Sequence, residues 1–137
     1  MGKGINMILG YIVLSIGLDI LLLWARAVLS RFLQTYDSIA DAAILDEFKR
    51  IARWNMYGAL AFLFCGGAGI LWGVLLTRQQ GLLGTFIVLA ITLPSLFISL
   101  STRALEQKAR SLPSAAALQT EYRRVAEAWV HKVLPDF

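Results

Sequence analysis

Apolar residues gather in three long runs separated by short polar stretches. The first covers residues 5–24 and is interrupted by Asp19 alone. The second, 56–77, and the third, 81–100, carry no charge. A helix of about 20 residues spans the ~30 Å hydrocarbon core of a bilayer, so each run is long enough to cross one. The remaining apolar positions recur at helical rather than strand spacing. Over 38–53, Ala40, Ile44, Phe48 and Ile51 fall on one face. Asp37 or Ser38 is expected to cap this segment, with Asp41 in its first turn. No Pro or Gly separates it from the second run before Gly58, so one continuous helix is expected there. Over 114–134, Leu118, Tyr122, Val125, Trp129 and Val133 form an apolar stripe with Arg123, Arg124 and Glu127 opposite. Arg103–Arg110 extends the third run, Pro113 breaks it, Ser114 caps the next helix and Pro135 ends it. The pattern therefore predicts an all-α, integral membrane three-helix bundle. Two amphipathic helices on one side of the membrane complete a single domain, 1–137.

Composition agrees: 58% of residues are hydrophobic, above the half or so typical of a soluble domain. The first run is too long for the apolar core of a signal peptide and holds an acid, so it is read as a span. Charge orients the spans. Only Lys3 and Arg78 lie at one end, whereas Arg26, Arg31, Lys49, Arg50, Arg53 and every basic residue from Arg103 onward lie at the other, two against eleven. The positive-inside rule puts the eleven in the cytoplasm, the N-terminus outside and the C-terminus inside. A bacterial inner membrane is the expected setting. Trp24 and Trp54 then meet at the cytoplasmic interface.

Chemistry is sparse. A single cysteine and a single histidine, Cys65 and His131, leave no His/Cys metal or haem site within one chain. No phosphate loop, nucleophile elbow or zinc-protease signature is present, so neither catalysis nor a cofactor is expected. Basic and acidic residues interleave in the tail, which argues against nucleic acid as a partner.

Three features remain. Asp19 is the one ionisable residue inside a span. Its burial costs about 2.5–3.5 kcal/mol even on the lenient insertion scale. Ser15 shares its face and Tyr11 borders it. It serves either an ion or proton path or a hydrogen-bonded helix contact, and Ser95 and Ser99 of the third run, with Asn55 and Tyr57 of the second, match its depth. In the third run Gly81, Gly84, Thr85, Thr92, Ser95, Ser99 and Thr102 fall within about 100° of helix surface, interrupted by Val88. In the second, Gly58, Ala61, Cys65, Gly69 and Gly73 recur at helical spacing. Such stripes let a second helix approach closely. Leu76, off the stripes, is expected to tolerate truncation. Pro94, in mid-span, is expected to kink the third helix.

The expected function is that of a non-catalytic accessory or assembly subunit of a larger membrane complex, partnered by the bilayer and by other subunits or copies of itself. The faces built on Ile44, Phe48 and Ile51 and on Leu118, Tyr122, Val125, Trp129 and Val133 are its expected cytoplasmic interface. The alternative is a small oligomeric channel or ion-coupled protein that uses Asp19, Ser15, Thr92, Ser95 and Ser99.

Overall fold

In the computed structural model, which describes residues 2–137 and side chains from Gly4 onward, the chain forms four helices: α1 (Gly2–Thr35), α2 (Ala42–Gln80), α3 (Leu82–Arg110) and α4 (Gln119–His131). Lys3, counted above among the charges, has its side chain outside the described residues. The chain is all-α, and α1, α2 and α3 are each long and apolar enough to cross a membrane. Of the most apolar stretch of each, only 11, 11 and 6% of residues are buried within the chain. The rest of that surface is left uncovered by the chain itself: Phe64 and Leu82, for instance, are 75% and 79% exposed.

α2 and α3 form a hairpin with Gly81 alone between them. Gly81 has φ 58° and ψ −133°, a region that favours glycine, and its N–H closes on the Thr77 carbonyl at 2.9 Å. Leu76 sits at this hairpin and is fully buried, so the expectation that it tolerates truncation is corrected. α1 packs against both arms. α3 runs unbroken through Pro94.

At the charged end the three long helices project past the apolar runs. α1 continues to Thr35, well beyond Trp24, and the segment read as a separate amphipathic helix is the first part of α2, as its lack of Gly or Pro suggested. These projections and α4 enclose the hydrophobic core found among the described residues, Leu29, Phe32, Leu33, Ile39, Leu45, Phe48, Ile51, Ala52, Ala109, Tyr122 and Val125. Phe48 is its centre, with ring centroids 5.0 Å from Tyr122, 5.8 Å from Trp129 and 6.1 Å from Phe32.

Two boundaries differ from the sequence reading. α2 is capped by Asp41, whose carboxylate accepts from the Ile44 N–H at 2.9 Å, and not by Asp37 or Ser38. α4 begins at Gln119 with no side-chain cap, and Ser114 does not cap it. One cause accounts for both. Ile39, fully buried, pairs its backbone with the α3–α4 connection: its N–H donates to the Pro113 carbonyl at 2.8 Å and its carbonyl accepts from Ala115 N–H at 3.0 Å. That bridge, Ile39 with Ser114, ties both segments to each other and keeps them out of the helices that follow.

Candidate functional site

The polar residues of the spans converge on the seam between α1 and α3. Tyr11, Ser15 and Asp19 follow one another at four-residue steps on α1, about 6 Å apart along the axis. Ser95 Oγ donates to Asp19 Oδ1 at 2.5 Å, as the depth match suggested. The Ile91 carbonyl, at 3.4 Å from the same oxygen, is the weaker acceptor. Thr92 Oγ1 donates to the Val88 carbonyl at 2.7 Å, which spends its only proton, so in the 3.5 Å contact between Tyr11 and Thr92 the phenol is the donor. Ser15, buried, donates back to the Tyr11 carbonyl at 2.8 Å. Asp19 itself is half-buried. None of the other three candidate partners is seen bonded to it: Ser99 lines the groove beside it, Asn55 donates to the Ile51 carbonyl at 3.0 Å, and the Tyr57 side chain is exposed.

Small residues divide into a packed set and an open set. A methyl group built on Gly84 would stand 2.6 Å from the Leu76 carbonyl oxygen, so the hairpin arms touch backbone to side-chain position there. Gly73 faces Val88 at 3.4 Å and the Tyr11 hydroxyl at 3.6 Å, and Gly69 faces Leu14 at 3.8 Å. Thr85 Oγ1 donates to the Gly81 carbonyl at 3.2 Å and closes the turn. In contrast, a methyl at Gly58 would meet nothing within 4 Å, and Ala61 and Cys65 are exposed. The stripe thus packs only in the half nearer the Gly81 turn. Gly10 belongs to the packed set and was missed: a methyl there would lie 2.7 Å from the Trp72 ring. Glycine opposite a tryptophan was the available signal, invisible without the register of α1 on α2.

From the tight hairpin α2 and α3 diverge and leave an open groove of about 840 Å³ at membrane depth. Gly66, Gly67 and Ile70 line one wall, Thr92, Ser95 and Ser99 the other, and Tyr11 and Ser15 the floor. The groove depends on helix divergence, which periodicity does not encode.

At the charged end Trp24 and Trp54 pack edge to face at 5.9 Å, as expected of their shared depth. The two apolar stripes placed there are used within the chain. Phe48, Ile51, Tyr122 and Val125 are buried, Ile44, Leu118 and Trp129 are half-buried against them, and Val133 remains 68% exposed. Tyr122 also fastens the end of α3. Its hydroxyl donates to the Ala109 carbonyl at 2.7 Å and accepts from the Leu112 N–H at 3.0 Å, and burial pushes its pKa up. Lys49 pairs with Glu121 of α4, which holds that carboxyl below its usual range. Tyr36 donates to Glu47 at 2.9 Å, which raises the phenol's pKa.

Among the described residues no three His, Cys, Asp or Glu side chains come together as a metal site would need. Comparison with protein-family models, with curated proteins and with solved structures found no match, so this chain's own geometry is what bears on its function.

Proposed function

We propose that the chain is a non-catalytic accessory or assembly subunit of a larger membrane complex, bound through the lipid-facing side of its bundle. One observation carries this: the half of the α2 stripe away from the Gly81 turn, Gly58, Ala61 and Cys65, is small, open and uncovered at membrane depth. Between lipid tails and protein there is no hydrophobic gain from covering a helix, so small residues favour association by allowing close approach. The half nearer the turn is used that way inside the chain.

Ala61→Leu tests this. Ala61 is exposed, so the bundle tolerates the larger side chain, whereas a close-packed partner helix does not. Extracted from native membrane in mild detergent, the variant is expected to fall from the assembled mass to that of the free chain. Ala90→Leu, the same change at an exposed position of α3, is expected to retain the assembled mass. Equal masses for both variants would end the subunit reading.

A specific feature favours a second reading, the small oligomeric channel: Thr92, Ser95 and Ser99 line an open groove, with Ser95 bonded to Asp19 at its edge. Asp19 separates the two. Asn keeps its shape and hydrogen-bonding capacity but removes its charge. In a channel, ion flux into reconstituted vesicles is lost in Asp19→Asn while assembly survives. In a passive subunit the parent protein carries no flux under any gradient.

The orientation proposed is N-terminus out and C-terminus in, across a bacterial inner membrane, on the two-against-eleven division of basic residues. In spheroplasts a tag on the N-terminus is expected to be cleaved by added protease and one on the C-terminus to be spared. The reverse pattern would invert the assignment of sides.

A further inference from the structure

The α2–α3 groove opens at the charged end into a second hollow of about 550 Å³. Leu63 lines both, so one surface runs from the interior of the bilayer to its edge. From Leu63 to Thr77 the groove follows α2 for about 20 Å at 1.5 Å per residue. One leaflet's hydrocarbon is roughly 15 Å deep. The mouth changes character: Arg103, Arg110 and Lys132 stand around it with one acid, Glu106. Lys132 is paired with Asp136. Among the described residues neither Arg103 nor Arg110 enters an ion pair. Arg110 gives its Nε–H to the Glu106 carbonyl at 3.3 Å, which leaves its terminal nitrogens to another acceptor. Both guanidiniums are near enough to pull the Glu106 carboxyl down, yet burial outweighs them and holds it above its usual range.

We infer that this continuous surface is a binding site for one anionic phospholipid, with an acyl chain along the α2–α3 groove and the phosphate between Arg103 and Arg110. The chemistry of each part matches its depth. Most of the long wall is apolar; the Thr92 and Ser95 hydroxyls on it are held by their own helix or by Asp19, and Arg78 lies at the far, hairpin end, so a hydrocarbon chain entering from the mouth displaces no tightly held group. Arg103 sits one helix turn past the end of the third apolar run, where phosphates lie, and Arg110 lies about 10 Å further along α3 on the rim of the same hollow. Basic pockets between spans at the membrane edge hold acidic headgroups. A zwitterionic lipid brings its own cation to a mouth already in cationic excess. The inference is independent of the subunit proposal, which uses the Gly58–Cys65 face of α2 rather than the Gly66–Ile70 face.

The test is lipid titration of the purified full-length protein in detergent, read by native mass spectrometry. Phosphatidylglycerol and phosphatidylcholine with identical acyl chains are the probes. One phosphatidylglycerol per chain is expected, held about thirtyfold more tightly than phosphatidylcholine, from two cationic contacts at roughly fivefold each. Arg103→Gln with Arg110→Gln is expected to erase the preference, while Arg50→Gln with Arg123→Gln, on exposed surface, preserves it. Gly67→Phe fills the groove at a position where a methyl meets nothing within 4 Å, so it should weaken both lipids without altering helicity or elution volume. Inorganic phosphate at the same concentration should displace neither lipid. Should the arginine variant fail to fold, Glu106→Gln removes the opposing carboxylate and is expected to tighten phosphatidylglycerol binding severalfold. Equal affinity for the two lipids, a preference that survives loss of both arginines, full retention in Gly67→Phe, or no gain in Glu106→Gln would each overturn the site.

Discussion

Replacing Phe48 by alanine should cost about 3–5 kcal/mol and loosen α4 while the three spans stay inserted. Phe48 is fully buried, and three aromatic rings, Phe32, Tyr122 and Trp129, converge on it from α1 and α4. Truncation removes the ring that joins those helices and leaves a cavity that the aromatic neighbours cannot collapse into without losing their own contacts. α4 packs mainly on α2, and the Tyr122 hydrogen bonds to the end of α3 are its other main tie. The readouts are a fall in the first thermal transition in detergent and faster tryptic cleavage at Arg123 and Arg124. Phe64→Ala, at a 75% exposed lipid-facing position, should change neither. Equal protease resistance in the Phe48 and Phe64 variants would show that the charged-end core does not secure α4.

The difference between those two phenylalanines was only half legible in the sequence. Three apolar runs of bilayer length, two of them uncharged and one interrupted by Asp19 alone, give three membrane-length helices because little else can bury so many consecutive apolar residues. The stripes around Phe48 and Tyr122 were equally plain as amphipathic helices. What periodicity could not say is what each stripe meets. Two stripes on one side of a membrane can cover each other, a partner or lipid, and here Phe48 and Tyr122 cover each other. Helix starts were misplaced because Asp37, Ser38 and Ser114 are good caps in isolation, whereas the Ile39–Ser114 bridge, a contact between distant segments, keeps them outside the helices. Asp19 found its partner in Ser95 because depth along parallel helices is a one-dimensional property that residue counting measures well. The groove and its basic mouth were not foreseen, since they follow from how far α2 and α3 diverge. The tightest contact of the hairpin from which they part is at a glycine.

Gly84 is that contact, and the same Gly→Ala change is expected to have opposite signs along these helices. At Gly84 an added methyl would stand 2.6 Å from the Leu76 oxygen and 3.0 Å from its carbonyl carbon. Both are backbone atoms of a helix held by its own hydrogen bonds, so neither can swing aside as a side-chain end would. The one-residue turn at Gly81 leaves no slack to move the arms apart. Gly84→Ala should therefore cost about 3 kcal/mol, the upper end of the range for overpacking, despite alanine's better helix propensity. Gly17 and Gly67 have nothing within 4 Å of the same methyl. There Ala should be neutral or stabilising by up to about 1 kcal/mol, the helix-propensity difference. Unfolding of the three variants in the same detergent, followed by tryptophan fluorescence, orders them. Trp72 lies on α2 near the hairpin and should report the Gly84 change first. A Gly84→Ala protein as stable as Gly17→Ala would mean that the hairpin arms are not in contact at Leu76. The divergence that opens the α2–α3 groove would then need another cause.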